Sequence, residues 1–276
     1  MTHARPPLRA HIDGIGLLGP GLADWPGAAA VLRGAQPYAG ARTVLPAPQL
    51  LPPAERRRAT AAIKLTLAVG LEALAMAARR PTDDLRTVFA ASGGDGANCH
   101  AICEALAGDD RLISPTRFHN SVHNAAAGYW GIATHSMAPA AVVSAPHEGS
   151  FAAGLIEALT EVAATGDDVL FIAHDTEYPE PLRFTRPIPD NFAVALLLSA
   201  RGCASSVARI ELDVHAPFTE APADALDDAE LEALRRAIPA ARALTLLQRV
   251  AVGASATVVV DHMPGPARLA LAIAPC

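Results

Sequence analysis

Short apolar runs of strand length alternate along this chain with longer Ala-rich stretches whose apolar residues recur at helical spacing. That alternation is the strongest constraint on the fold, because strands joined through helices build a layered α/β sheet. LRAHIDGIG (8–16) reads as an opening strand, closed by the turn GLLGPG and followed by a short helix over about 24–33. After a Pro-rich connector (36–53), Ile63, Leu67, Leu71 and Leu74 mark one long, largely buried helix over 55–79. RTVFAAS, the buried run at 141–144 and DDVLFIAHD are the next strands, with helices over 98–107, 147–163 and within 112–134. NFAVALLLSA and ASSVARIELDVH then follow one another directly, which predicts hairpin-like pairing on an otherwise parallel-type sheet. The acidic connector TEAPADALDDAE leads to one helix over 231–250 and two closing strands, ATVVVDH and ARLALAIA.

With 276 residues, 51% of them hydrophobic, the chain can bury a sizeable core. No apolar run reaches the roughly 18 residues a membrane span needs, and MTHARPPLRAHID carries no apolar signal core, so a soluble cytoplasmic protein is expected. A net charge of −6 argues against nucleic-acid binding; the compact cluster Arg56, Arg57 and Arg58 opens a helix and reads as a solvated face. Cys99, Cys103, Cys203 and Cys276 are too few and too scattered for a disulfide framework and read as reduced thiols.

AAVVSAPHEGSFAAGLIEAL (140–159) is a strand, a sharp turn and a helix. Enzymes place nucleophiles at such turns, because the first-turn N–H groups and the helix dipole stabilise developing negative charge. Pro146 supplies neither a nucleophile nor an N–H, yet proline is comfortable where a helix begins. The turn can survive while the chemistry is lost.

Several strings carry a family likeness. IDGIGLLGPGLADWPGAAAVLRG resembles the opening strand, turn and helix of the β-ketoacyl synthases, SPTRFHNSVHNAAAG the segment before their nucleophile, and VLFIAHDTE the strand and acidic turn after it. The likeness covers about residues 10–215. Within the thiolase superfamily, SPTRFHNSVHNAAAG with FAAGLIEAL is most similar to the short ketosynthase-like chain-length factors of aryl polyene and related pigment pathways. The resemblance implies an α/β, thiolase-like half fold: a mixed sheet layered with helices, comprising a ketosynthase N-terminal-half domain over 1–215 and a C-terminal extension of one helix and two strands over 216–276. It implies a full-length ketosynthase as heterodimer partner and acyl carrier protein reached through that complex; no cofactor and no metal are expected.

By the same resemblance Pro146 stands where the family carries its cysteine, within the degenerate turn Ser144, Ala145, Pro146 and His147. An active thiolate and one oxyanion donor are therefore missing. The C-terminal half of a ketosynthase supplies two histidines and a lysine that the remaining residues are not expected to replace, His262 included. Phe118, Val122, His123 and Asn124 fall where relatives line the subunit interface and acyl tunnel. Ile102 and Leu106, expected to face inward from the 98–107 helix, form a second candidate wall, and Tyr129 and Trp130 are candidate interface anchors or core residues.

Four other readings are open to weighing. Ser144, His147 and Asp175 have the residue types of a hydrolase triad, although Pro146 would have to hold the turn open for them to meet. A stand-alone acyltransferase or thioesterase could use Ser144, His147 or His262, and a homodimeric acyl-binding scaffold would need no chemistry at all. His119 with His123 and Cys99 with Cys103 each have i,i+4 spacing, which alone does not make a zinc site.

Overall fold

The computed structural model describes residues 6–82, 84–216, 218–263, 265 and 267–276; the leading MTHAR, within the N-terminal string read above, lies outside them. The first half runs β1 (Leu8–Leu18), α1 (Trp25–Leu32), α2 (Pro53–Arg58), α3 (Ala61–Met76), β2 (Arg86–Ala91), α4 (Gly96–Ala107), α5 (Pro115–His119), α6 (Ala125–Thr134) and β3 (Ala140–Ser144). A 3-10 turn (His147–Gly149) then enters α7 (Ser150–Thr165), followed by β4 (Val169–Asp175), α8 (Leu182–Thr185), β5 (Phe192–Ser199), β6 (Ala208–Leu212) and β7 (Phe218–Thr219). The tail holds α9 (Ala229–Ala237), a 3-10 stretch (Pro239–Ala243), α10 (Leu244–Val252), β8 (Ala256–Asp261) and β9 (Arg268–Pro275).

One mixed sheet orders these strands β3-β2-β4-β5-β1-β6-β9-β7, with β8 on β9. Only β3, β2 and β4 run parallel. The expected β5–β6 hairpin does not form: β1 lies between the two strands and pairs antiparallel with both. β1 is buried on both faces from Ile12 to Leu18, the pattern of an interior strand, and its two edges are taken by β5 and β6.

Side-chain alternation along β4 divides the core. Val169, Phe171 and Ala173 join the cluster containing α7, α1 and α10, whereas Leu170 and Ile172 join the one formed by α3 and α6. β1 lies so close on α3 that a Cβ at Gly16 would come within 1.9 Å of the Val69 carbonyl oxygen, so only glycine fits there.

Two long helices expected from periodicity are each broken. The 55–79 helix divides at Ala59, whose ψ of 120° is extended, and the side chain of Arg56 donates to the carbonyls of Gln49 and Leu51 at 2.9 and 3.0 Å. Arg56 is thus tied to the connector rather than solvated with its neighbours. The 231–250 helix divides at Ile238, which the following Pro239 holds in the extended region. The run at 141–144, expected to be buried, forms the outer strand β3 and is half-exposed, with Ser144 exposed. On the opposite side, β8 is met by the acidic connector: Asp224 N–H donates to the Val259 carbonyl at 2.8 Å, and Val259 N–H donates to the Asp224 carboxylate at 3.2 Å.

Candidate functional site

The strand-to-helix bend after β3 is built as the local sequence dictates. Pro146, φ −54° and ψ 124°, turns the chain out of β3; its carbonyl accepts from Gly149 N–H at 2.8 Å, closing the 3-10 turn on which α7 starts. Pro146 is exposed, while Gly149 and Ser150 are buried. A Cβ on Gly149 would lie 1.6 Å from the His262 carbonyl oxygen, so the tail backbone after β8 rests directly on this turn. The His262 ring stacks on Phe218, centroids 5.1 Å apart and planes within 8°, and its Nδ1 has no hydrogen-bond partner. Burial lowers the pKa of both His147 and His262, favouring neutral imidazoles.

Behind the bend, at the end of β4, neighbouring side chains point into opposite layers. Asp175 accepts from the backbone N–H and hydroxyl of Ser92 through Oδ1 and from Ala240 N–H through Oδ2 at 2.8 Å. Burial raises its carboxyl to about 6, although these hydrogen bonds and the Arg186 charge pull the other way. His174 is driven to about 4 by burial, with His123 adding to the effect, and its Nδ1 is unpartnered. Both Asp175 oxygens are therefore engaged away from His147, and Ser144 is exposed at the strand end, so the structure does not assemble the hydrolase triad.

Two neighbouring cavities lie over α4, α5 and α6. One of about 640 Å³ takes Ile102, Leu106, Phe118 and His123 into its wall, with Cys99, Cys103, Tyr178 and Leu182; the other, of about 600 Å³, takes Phe118, Val122, Asn124, Tyr129 and Ile132. Phe118, 68% exposed, lines both. Leu106 does not face inward as expected but is 48% exposed, because α4 lies off the sheet with little packed over it. Trp130 lines neither cavity: it is buried against Gly70 of α3, and Tyr129, 2% exposed, is likewise a core residue in this chain. Among the described residues no three His, Cys, Asp or Glu side chains gather in a metal-binding arrangement. In the sequence the signal for His174 is a polar His-Asp pair ending an otherwise apolar strand, and Ser92 carries none.

A mixed sheet layered between helices, with a strand-to-helix bend leading into the buried helix α7, is the arrangement that the thiolase-like resemblance implies. Solved structures share this fold. A ketosynthase (ApeO) in complex with its chain length factor (ApeC) from Xenorhabdus doucetiae aligns over 95% of this chain and 98% of its own at 23% identity and TM-score 0.69. The ishigamide ketosynthase/chain length factor aligns over 96% and 98% at 16% identity and TM-score 0.62. AntDE:AntF, a type II polyketide synthase acyl-carrier protein in complex with its ketosynthase bound to the hexaketide, aligns over 97% and 99% at 12% identity and TM-score 0.71. No curated protein matches. Residues 32–258 match the family described as Beta-ketoacyl synthase, N-terminal domain, and the chain belongs to that family.

Proposed function

We propose that this chain is a noncatalytic ketosynthase-like subunit, of chain-length-factor type, that pairs with an active β-ketoacyl-ACP synthase and bounds the growing chain in aryl polyene-type biosynthesis. The observation that carries the reading is Pro146 at the bend, where the family resemblance places the cysteine nucleophile. An imino acid can neither hold an acyl thioester nor donate a backbone hydrogen bond to an oxyanion. Decarboxylative Claisen condensation between acyl and malonyl units therefore belongs to the partner, and acyl carrier protein is engaged through the complex.

The contribution of this chain is steric. Phe118, set between two cavities and largely exposed, with Ile102, Leu106, Val122, His123 and Asn124 around it, supplies an apolar surface for the partner and a wall for the acyl tunnel. Residues 1–215 form the ketosynthase-like part, and 216–276 a C-terminal extension packed on it through contacts such as Asp175 with Ala240. No described helix is long and apolar enough to cross a membrane, and we place the complex in the cytoplasm.

Co-expression with a full-length ketosynthase, followed by size-exclusion chromatography and a malonyl-dependent elongation assay, tests the reading. A heterodimer that elongates, beside an isolated chain that neither becomes acylated nor turns over thioesters, is the expected result. Acylation or thioester turnover by the isolated chain overturns it.

A further inference from the structure

We infer that the cavity between β1, the Pro-rich connector and α3 binds an amphipathic anion: an apolar chain that ends in a carboxylate. Its volume of about 750 Å³ lies in the range of small-molecule sites, and it shares no lining residue with the cavities around Phe118. Its floor is a single stripe of α3 made of Lys64, Leu67, Ala68, Leu71 and Glu72. At 1.5 Å per residue the two charged ends stand about 12 Å apart, with only apolar side chains between them. Val44 and Leu50 line the opposite wall while 80% and 45% exposed, apolar surface that an aliphatic chain would remove from water.

Electrostatics selects the head group. Four charged side chains line the cavity, and three are already engaged. Glu72 accepts from Leu17 N–H at 2.8 Å and from Trp25 N–H at 2.6 Å, using both oxygens. Asp24 accepts from Gly27 N–H at 2.7 Å as the cap of α1, and Arg42 pairs with Glu177 and Asp190. Lys64, the only lysine in the sequence, has no side-chain partner among the described residues. One uncommitted cation at one end of an apolar trough is complementary to a carboxylate with its tail laid along α3 toward Leu71.

The sole lysine makes the test direct. The full chain is titrated calorimetrically with decanoate, with decanol and decylammonium as controls of equal length, and acetylation of Lys64 by acetic anhydride is followed by peptide mass. Decanoate is expected to saturate one site and to slow Lys64 acetylation. Lys64→Gln is expected to weaken decanoate about tenfold, the loss of one charged contact, while decanol binding stays within about twofold. Ala68→Phe, which fills the floor of the trough, is expected to weaken both ligands, with its fold checked by circular dichroism. No saturable decanoate binding, an unchanged decanoate affinity in Lys64→Gln, or decylammonium binding as tightly as decanoate overturns the assignment.

Discussion

The Asp175 carboxylate accepts a hydrogen bond from the Ala240 N–H at 2.8 Å, joining the end of β4 to the 3-10 stretch of the tail 65 residues further along. The same carboxylate holds Ser92 after β2, so one buried acid fixes three chain segments around the candidate site.

This acid and its neighbour give stability opposite pH dependences. Asp175, raised from an unfolded value of about 3.9 to about 6, contributes stability that is present below about pH 4 and lost as pH rises through about 6. His174, lowered from 6.5 to about 4, contributes stability that is present above about 6.5 and lost as pH falls through about 4. Between these limits the two slopes oppose one another in the natural protein. Asp175→Asn removes one of them, so its stability should climb more steeply from about pH 4 to 6 than the parent's, by up to about 1.4 kcal/mol per pH unit. Urea unfolding across that window is the measurement; parallel curves refute the assignment.

Pro146 should be dispensable for chemistry. In the complex with a ketosynthase, Pro146→Ala is expected to change elongation rate by less than about twofold, whereas losing a working oxyanion donor costs on the order of a hundredfold. A loss of that larger size would return the bend to the reaction.

Tunnel length should respond to side-chain volume. Ile102→Ala and Phe118→Ala are expected to lengthen the products, read by mass spectrometry of the released chains. Unchanged length in both removes these positions from the wall.

Gly149 has no room for a methyl group, because the His262 carbonyl occupies the place a Cβ would take. Gly149→Ala should cost about 3 kcal/mol by forcing the tail off the turn. In a chain of this size that corresponds to a fall in Tm of roughly 6 °C or more, which calorimetry would detect.

Tyr129→Ala should cost about 3–5 kcal/mol in the isolated chain, since the ring is buried on α6 rather than held out toward a partner. Denaturant unfolding of the chain by itself measures this, and a loss seen only in the complex would restore Tyr129 to the interface.

Much of the fold is legible because its signals are local. Asp24 caps α1, Gly/Pro turns follow β1, and β4 is a continuous apolar run that reads as a buried strand. The positions that mislead involve partners distant in sequence. Nothing within 192–212 reveals that β1 inserts between β5 and β6, and the break at Ala59 follows a short helix whose Arg56 is held by carbonyls of a connector that periodicity ignores. The break at Ile238 does have a local signal, the Pro239 that follows it. At the candidate site, the turn around Pro146 is legible because a proline at a helix start has few structural alternatives. The outward turn of Leu106 is not, since an apolar residue gives the same signal whether it faces a core or an absent neighbour.

Asp224 occupies backbone groups of β8 at Val259, whereas β3 at the far side keeps one flank without a strand partner among the described residues. A ribbon blocked at one margin and unpaired at the other can be joined once but not extended in both directions. Backbone-to-backbone association through these margins would thus end in closed pairs, without the two-ended growth that produces filaments.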